Sequence, residues 1–200
     1  NYLLVYAKEK SGNPLKKVFV QKAYDSSYSK VLIDKSLPYN KWKWTNIVNV
    51  VAEDLGYENP RKAKQVIGDS FLEKIAQFAI NNADRVFRTA AIGGGAAKKR
   101  AVTIRKSKEN REKIFVHPNE DVEHFYILNG EQILFYDKRL IGIDGNLVPG
   151  EVITDVWTDI SWTGIASEGA VVFKNWKKPE PLIKRVLELS TEAGDVVFDS

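Results

Sequence analysis

The chain has 200 residues, 44% of them hydrophobic and 28% charged, which is enough apolar material for a real core and excludes a disordered chain. Cysteine is absent, so a disulfide framework, a thiolate metal site and a cysteine nucleophile are excluded, and with only His117 and His124 no metal site is assigned. No apolar run reaches membrane-spanning length, no signal peptide is read, and a net charge of +4 with a pI near 9.0 is a weak pointer to an anionic partner.

In chain order, the apolar run from Tyr2 reads as a strand over residues 1–8, already under way at Asn1, followed by a polar turn around Gly12-Asn13-Pro14. Residues 18–44 are irregular and rich in Tyr, Lys and Trp. A helical block follows. Thr45 is placed to cap a helix carrying Ile47, Val48, Val51, Ala52 and Leu55, which Gly56 ends; Asn59-Pro60 starts a short second helix. Asp69 is expected to cap a third, with Glu73 opposite it, over Phe71, Leu72, Ile75, Ala76, Ala79 and Ile80. From Arg85 to about Trp157 the pattern predicts strands, with a hairpin over 123–137 turned at Asn129-Gly130 and another tight turn at Asp144-Gly145. Pro179 and Pro181 suit the start of a final helix whose apolar face is Leu182, Ile183, Val186, Leu187 and Leu189. Gly194 ends it, and Val196, Val197 and Phe198 read as a short buried strand. Both ends read as elements cut short.

Charge is concentrated in one place. Between Lys98 and Lys113 stand Lys98, Lys99, Arg100, Arg105, Lys106, Lys108, Arg111 and Lys113 against only Glu109 and Glu112, directly after Gly93-Gly94-Gly95-Ala96-Ala97. No Lys-Ser/Thr pair closes the glycines at P-loop spacing. The stretch reads either as a flexible basic loop that orders on a phosphate backbone or, equally, as a solvated surface hairpin. Tyr39, Trp42 and Trp44 among lysines suit base stacking, though core packing accounts better for at least one tryptophan. Neither histidine has the serine or carboxylate neighbours of a triad, and Asp155 and Asp159 around Trp157 read as turn and capping residues. No catalytic residue is assigned.

The C-terminal stretch VVFKNWKKPEPLIKRVLELSTEAGDVVFDS resembles the segment of DNA amino-methyltransferases that leads into their S-adenosylmethionine loop: a Lys-Pro before a helix, a Gly-Asp turn, an apolar strand and Asp-Ser. DVWTDISWTGIA, from Asp155 to Ala166, is similar to the family's tryptophan-bearing link into it, and NYLLVYAK to the strand that closes the catalytic half. Together these flanks cover roughly a quarter of the chain. The resemblance is nearest to adenine-specific methyltransferases of type III restriction–modification systems. It implies an α+β fold in which terminal strands of a Rossmann-like methyltransferase sheet bracket a target recognition domain: residues 1–17 as the end of the catalytic half, 18–170 as the recognition domain with a helical lobe at 45–82 and a mixed β lobe at 85–157, and 171–200 leading to the cofactor loop. The Asp/Asn-Pro-Pro-Tyr and Phe-x-Gly-x-Gly motifs of such enzymes are not in this sequence.

The implied parent methylates the N6 of an adenine taken out of the stack, acts in the cytoplasm, and takes S-adenosylmethionine, double-stranded DNA, and a second methyltransferase copy or a restriction subunit as cofactor and partners. In it, the 98–113 cluster (Lys98, Lys99, Arg100, Arg105, Lys106, Lys108 and Arg111) would grip phosphates. Lys178 and Pro179 would lie near the methionine end of the cofactor, with Asp199 at the strand tip beside it or serving only as a strand end. The chain departs from the family at Trp176, where relatives often carry a small residue. Two rival functions fit the residues alone: a free-standing nucleic-acid-binding module, or a protein-interaction module built on 45–82. On the resemblance, the chain incubated with labelled S-adenosylmethionine and DNA is expected to transfer no methyl group above background; turnover by these 200 residues would overturn it.

Overall fold

The computed structural model describes residues 3–6, 15–143, 145–172 and 177–198. Two compact units divide the chain: residues 21–150 form one, and residues 1–20 with 151–200 form the other. The elements, in order, are β1 (Phe19–Gln21), β2 (Lys30–Leu32), β3 (Trp44–Asn46), α1 (Ile47–Asp54), α2 (Pro60–Ile67), α3 (Ser70–Asn81), β4 (Val86–Ala90), α4 (Gly94–Lys99), α5 (Ala101–Glu109), β5 (Ile114–Val116), β6 (Tyr126–Leu128), β7 (Glu131–Phe135), β8 (Leu140–Ile143), β9 (Asn146–Val152) and α6 (Glu180–Ser190). The fold class is α+β.

The 21–150 unit is organised by a six-stranded sheet in the order β3-β2-β4-β7-β6-β5, with every adjacent pair antiparallel. Successive strand residues point to opposite faces, and this sheet uses both. On β2, Val31 enters a core with α1–α3 while Leu32 enters the opposite one; on β4, Val86 and Phe87 divide in the same way. The helical side collects Ile47, Val51, Ala63, Phe71, Ile75 and Ala79, together with Tyr28 and Tyr136. Burial pushes the Tyr136 phenol up to about 12, and the Tyr24 hydroxyl donates to the Tyr28 carbonyl at 2.6 Å. On the other side Ile133, Phe135, Leu128 and Ile114 meet Phe87 and Trp42. Trp42 lies against Tyr126 and Phe135, with ring centres 4.8 and 6.3 Å apart, and its indole N–H donates to the Leu37 carbonyl at 2.6 Å. The remaining strands form a sheet in the order β1-β9-β8.

The sequence expectations for helix boundaries hold in part: α6 begins after Pro179 as expected but ends at Ser190, with Thr191 at its C-cap, before Gly194. Asn59 accepts from the Lys62 N–H at 2.9 Å with Pro60 at the first helical position, and Gly56 (φ 79) follows the end of α1. The α1 cap is Asn46 rather than Thr45, because β3 runs directly into the helix. Asp69 does not cap α3: its backbone is already helical and its side chain makes no capping bond, since Gly68 (φ 57) turns the chain straight from α2 into α3. The hairpin forms as expected, with Leu128 opposite Glu131 and Asn129 (φ 49) and Gly130 (φ 80) in its turn. Gly145 (φ 79) turns β8 into β9; its neighbour Asp144 lies outside the described residues, as does the turn at Gly12-Asn13-Pro14.

Three expectations are corrected. The 18–44 stretch contains β1 and β2, each too short for a periodic signal. The glycine-led basic stretch is helical rather than a loop or hairpin: α4 and α5 interrupt the region read as strands. Residues 3–6 and 195–198 are not strands, and Val196, Val197 and Phe198 are 78%, 55% and 92% exposed. An apolar run becomes a buried strand only where other strands supply ladder partners and a layer covers it, and neither is found among the described residues. Tyr2, Ala7 and Asp199, the outer residues of those expected strands, lie outside the described residues.

Gly130 gives a direct test of the hairpin. A Cβ there would come within 2.5 Å of Lys108 Cε and 2.8 Å of its Cγ, and the backbone is left-handed. Gly130→Ala is expected to lower stability by about 1–2 kcal/mol in urea unfolding. Lys108→Ala in the same chain should recover the part due to collision and leave the part due to the backbone.

Candidate nucleic-acid interface

Helix α5 is held by polar rather than apolar contacts. Its inward stripe is Arg100, Thr103 and Ser107, at helical spacing, and all three are buried. Arg100 stands at the kink between α4 and α5, where its Nε and terminal nitrogen donate to the two Glu120 carboxylate oxygens, each at 2.6 Å. A further guanidinium N–H reaches the Ala96 carbonyl at 3.3 Å, and the group lies 3.8 Å from the Phe125 ring centre. Thr103 Oγ1 and His117 Nδ1 are 2.9 Å apart, and Ser107 Oγ accepts from the Gly130 N–H at 3.2 Å. These bonds fix the helix against β5, β6 and the 117–125 loop, in which Asn119 (φ 54) and His124 (φ 63) are left-handed.

This geometry sorts the predicted phosphate-gripping residues. Arg100 is buried and committed to Glu120, so it serves the fold and is not presented to a ligand. Lys99 pairs with Asp121 and, at 3.8 Å, with Glu120. Lys98, Arg105, Lys106, Lys108 and Arg111 are exposed, as is Lys113. Two carboxyl groups register the same contacts: the Arg100 donors hold Glu120 below its ordinary value, and the Lys99 ammonium hydrogen bond brings Asp121 down to about 2.

The residues expected near a cofactor lie in the other unit. Pro179 is fully buried and precedes α6, whereas Lys178 is exposed, with its ammonium 5.8 Å from the Trp162 ring centre. The neighbouring Lys177 is committed to structure: its ammonium donates to the Ala166 and Val171 carbonyls at 2.8 and 2.9 Å and to that of Glu168. Glu168 in turn accepts from the Glu180 N–H at 2.7 Å, satisfying one of the free donors at the start of α6. Asp159 holds Arg185 of α6 through both its oxygens, and that guanidinium lies 5.1 Å from the Trp157 ring centre, so the tryptophan-bearing link is strapped to the helix. At the other end of α6 the Lys16 N–H donates to the Leu189 carbonyl at 2.9 Å, tying the early chain into the same unit. Asp199 and Trp176 lie outside the described residues, and no group of metal-binding side chains is found among those described. No described helix is long and apolar enough to cross a membrane.

Comparison with known proteins adds one partial similarity. Over 80 residues, 39% of the chain, the sequence is 32% identical to a Haemophilus influenzae protein described as the probable type III restriction-modification enzyme HindVI Mod subunit. The match covers 11% of that subunit's length. No protein-family profile and no solved structure matches the chain. The similarity is thus to a small part of a restriction-modification Mod subunit.

The Arg100–Glu120 pair predicts an acid-sensitive anchor for α5. A carboxyl held below its ordinary value of 4.5 adds stability that is complete above that pH and lost as the pH falls through its folded value. Glu120→Gln leaves the buried guanidinium without its counter-charge and should lower stability by about 3 kcal/mol at neutral pH. The gap between variant and parent, read from urea midpoints, should narrow steadily below pH 4.5; a gap independent of pH would show that the charge of Glu120 contributes nothing.

Proposed function

We propose that this chain is the DNA-recognition portion of a site-specific adenine N6 methyltransferase of the type III restriction–modification kind. The observation that carries the proposal is the 80-residue similarity to a Mod subunit. The outward cations of the α4–α5 segment support it, because a rigid helix carrying Arg105, Lys106 and Lys108 on its solvent side, followed by Arg111 and Lys113, suits a phosphate backbone. In this reading the whole enzyme draws its methyl group from S-adenosylmethionine. Residues 171–200, with α6, lead to the cofactor loop of a Rossmann-like catalytic half, and Lys178 and Pro179 lie near the cofactor, with Asp199 at the tip. Residues 18–170 are the recognition domain, and the 21–150 unit makes up most of it. Its helices α1–α3, where Val66 and Leu72 are 59% and 57% exposed, offer an apolar surface to a restriction subunit or a second methyltransferase copy. The enzyme works in the cytoplasm, where its DNA is.

Phosphate contacts set register and base contacts set sequence, so the two are separable by mutation. Replacing Arg105, Lys106 and Arg111 together by alanine is expected to weaken binding to all duplexes alike. It should also flatten the log–log salt dependence by roughly 2–3, about 0.9 for each lost contact. Fluorescence anisotropy over a salt series reads both quantities. An unchanged slope would make the segment an ordinary solvated face, and loss of sequence preference would make it a base reader.

A further inference from the structure

A cleft of about 450 Å3 opens beside β3 in the 21–150 unit, lined by residues 42–46, Ile33 and Glu112. That volume falls within the roughly 300–1,000 Å3 of small-molecule sites. The two tryptophans of this stretch have different roles. Trp42 is buried and its indole N–H is spent on the Leu37 carbonyl, whereas Trp44 on the edge strand is half-buried, packed in part against the core of Phe87 and Phe135, with the Lys30 ammonium 5.8 Å from its ring centre. Asn46 occupies the cap position of α1, where its residue type ordinarily bonds the first turn, yet its side chain makes no capping bond. It is exposed and lines the cleft. Glu112 also lines the cleft; in sequence it stands between Arg111 and Lys113, at the end of the basic segment that follows α5.

We infer that this cleft receives one unpaired nucleobase bearing an exocyclic amino group, a reading that rests on the nucleic-acid function proposed above and names a base-reading site within it. The indole of Trp44 supplies a stacking surface, the sequence-tolerant part of binding. The carboxamide of Asn46 offers a donor and an acceptor side by side, the pattern that pairs with the amino group and adjacent ring nitrogen of adenine; the Glu112 carboxylate accepts from an amino group and repels a carbonyl. Thymine, with two carbonyls and no amino group, is the base such a site rejects. Lys43 in the lining, and the exposed Arg111 and Lys113 next to Glu112 in sequence, supply cations for the phosphates on either side of the inserted base. The presence of Glu112 disfavours a bare phosphate in the cleft itself, so the base, rather than the backbone, is assigned to it.

The test uses the 200-residue chain with fluorescent single-stranded homopolymers of dA, dC and dT and, separately, a duplex. The homopolymers of dA and dC should bind several-fold more tightly than that of dT. Trp44→Ala should weaken the dA complex about tenfold, with Trp44→Phe retaining most of the affinity. Glu112→Gln and Asn46→Ala, both at exposed positions, should reduce the preference for dA over dT while leaving dT binding unchanged, which keeps the test valid if Trp44→Ala does not fold. Equal binding of the three homopolymers by the unmodified chain, or homopolymer binding indifferent to Trp44 and Glu112, overturns the inference. If duplex is bound with the expected salt dependence while the homopolymers ignore the cleft, the base site alone fails. If the homopolymers respond to the cleft while duplex is not bound, the base site stands and the methyltransferase reading fails.

Discussion

The two-residue step of β2 and β4 holds the 21–150 unit together. Val31 and Val86 point to one face of the sheet, Leu32 and Phe87 to the other, and each of these four side chains is fully buried. Because both faces are covered, the helices α1–α3 and the β6–β7 hairpin are each positioned by one of them. Helices α1–α3 close the first face with Ile47, Val51, Phe71 and Ile75, and Trp42 with the β6–β7 hairpin closes the second. A slip of one residue in either strand would exchange the two sets and leave neither core with side chains of the right shape.

Against this frame α5 is an exception in its chemistry. A helix normally docks an apolar stripe, but here the buried positions are an arginine, a threonine and a serine, and Val102 is 55% exposed. What holds the helix in place is a set of satisfied polar groups, among them the two-pronged Arg100–Glu120 contact beside Phe125. Such a contact contributes orientation more than raw stability, since removing two charges from water offsets much of their attraction. The consequence is a helix whose cations are sorted into those that hold it and those that face solvent, next to the cleft that ends at Glu112.

The unit that joins residues 1–20 to 151–200 follows a different logic. Among its described residues only Ile160 and Pro179 are buried, and what ties it together is a set of polar straps: Asp159 to Arg185 of α6, Glu168 to the first turn of α6, Lys16 to its last turn, and Lys177 to three loop carbonyls. Val196, Val197 and Phe198 stand in the open, although their composition is that of a covered strand.

By itself the sequence determined the elements whose signals are local. Pro60 after Asn59, the glycine at 56, the Asn129-Gly130 turn and the apolar spacing of α1, α3 and α6 each follow from the backbone preferences of a few neighbouring residues. The tertiary structure alone decided α5, the pairing of Arg100 with Glu120 and the cleft at Trp44. For α5 the reason is physical: its inward face is polar, so no hydrophobic period marks it, and a row of basic residues after three glycines looks the same whether it is a loop or a helix. Nothing near Arg100 in sequence indicates that its partner lies 20 residues downstream. The different exposures of Trp42 and Trp44, one buried among Tyr126 and Phe135 and the other half-buried against the same core, depend on which strands pair, which is a property of the whole sheet rather than of any short stretch of chain.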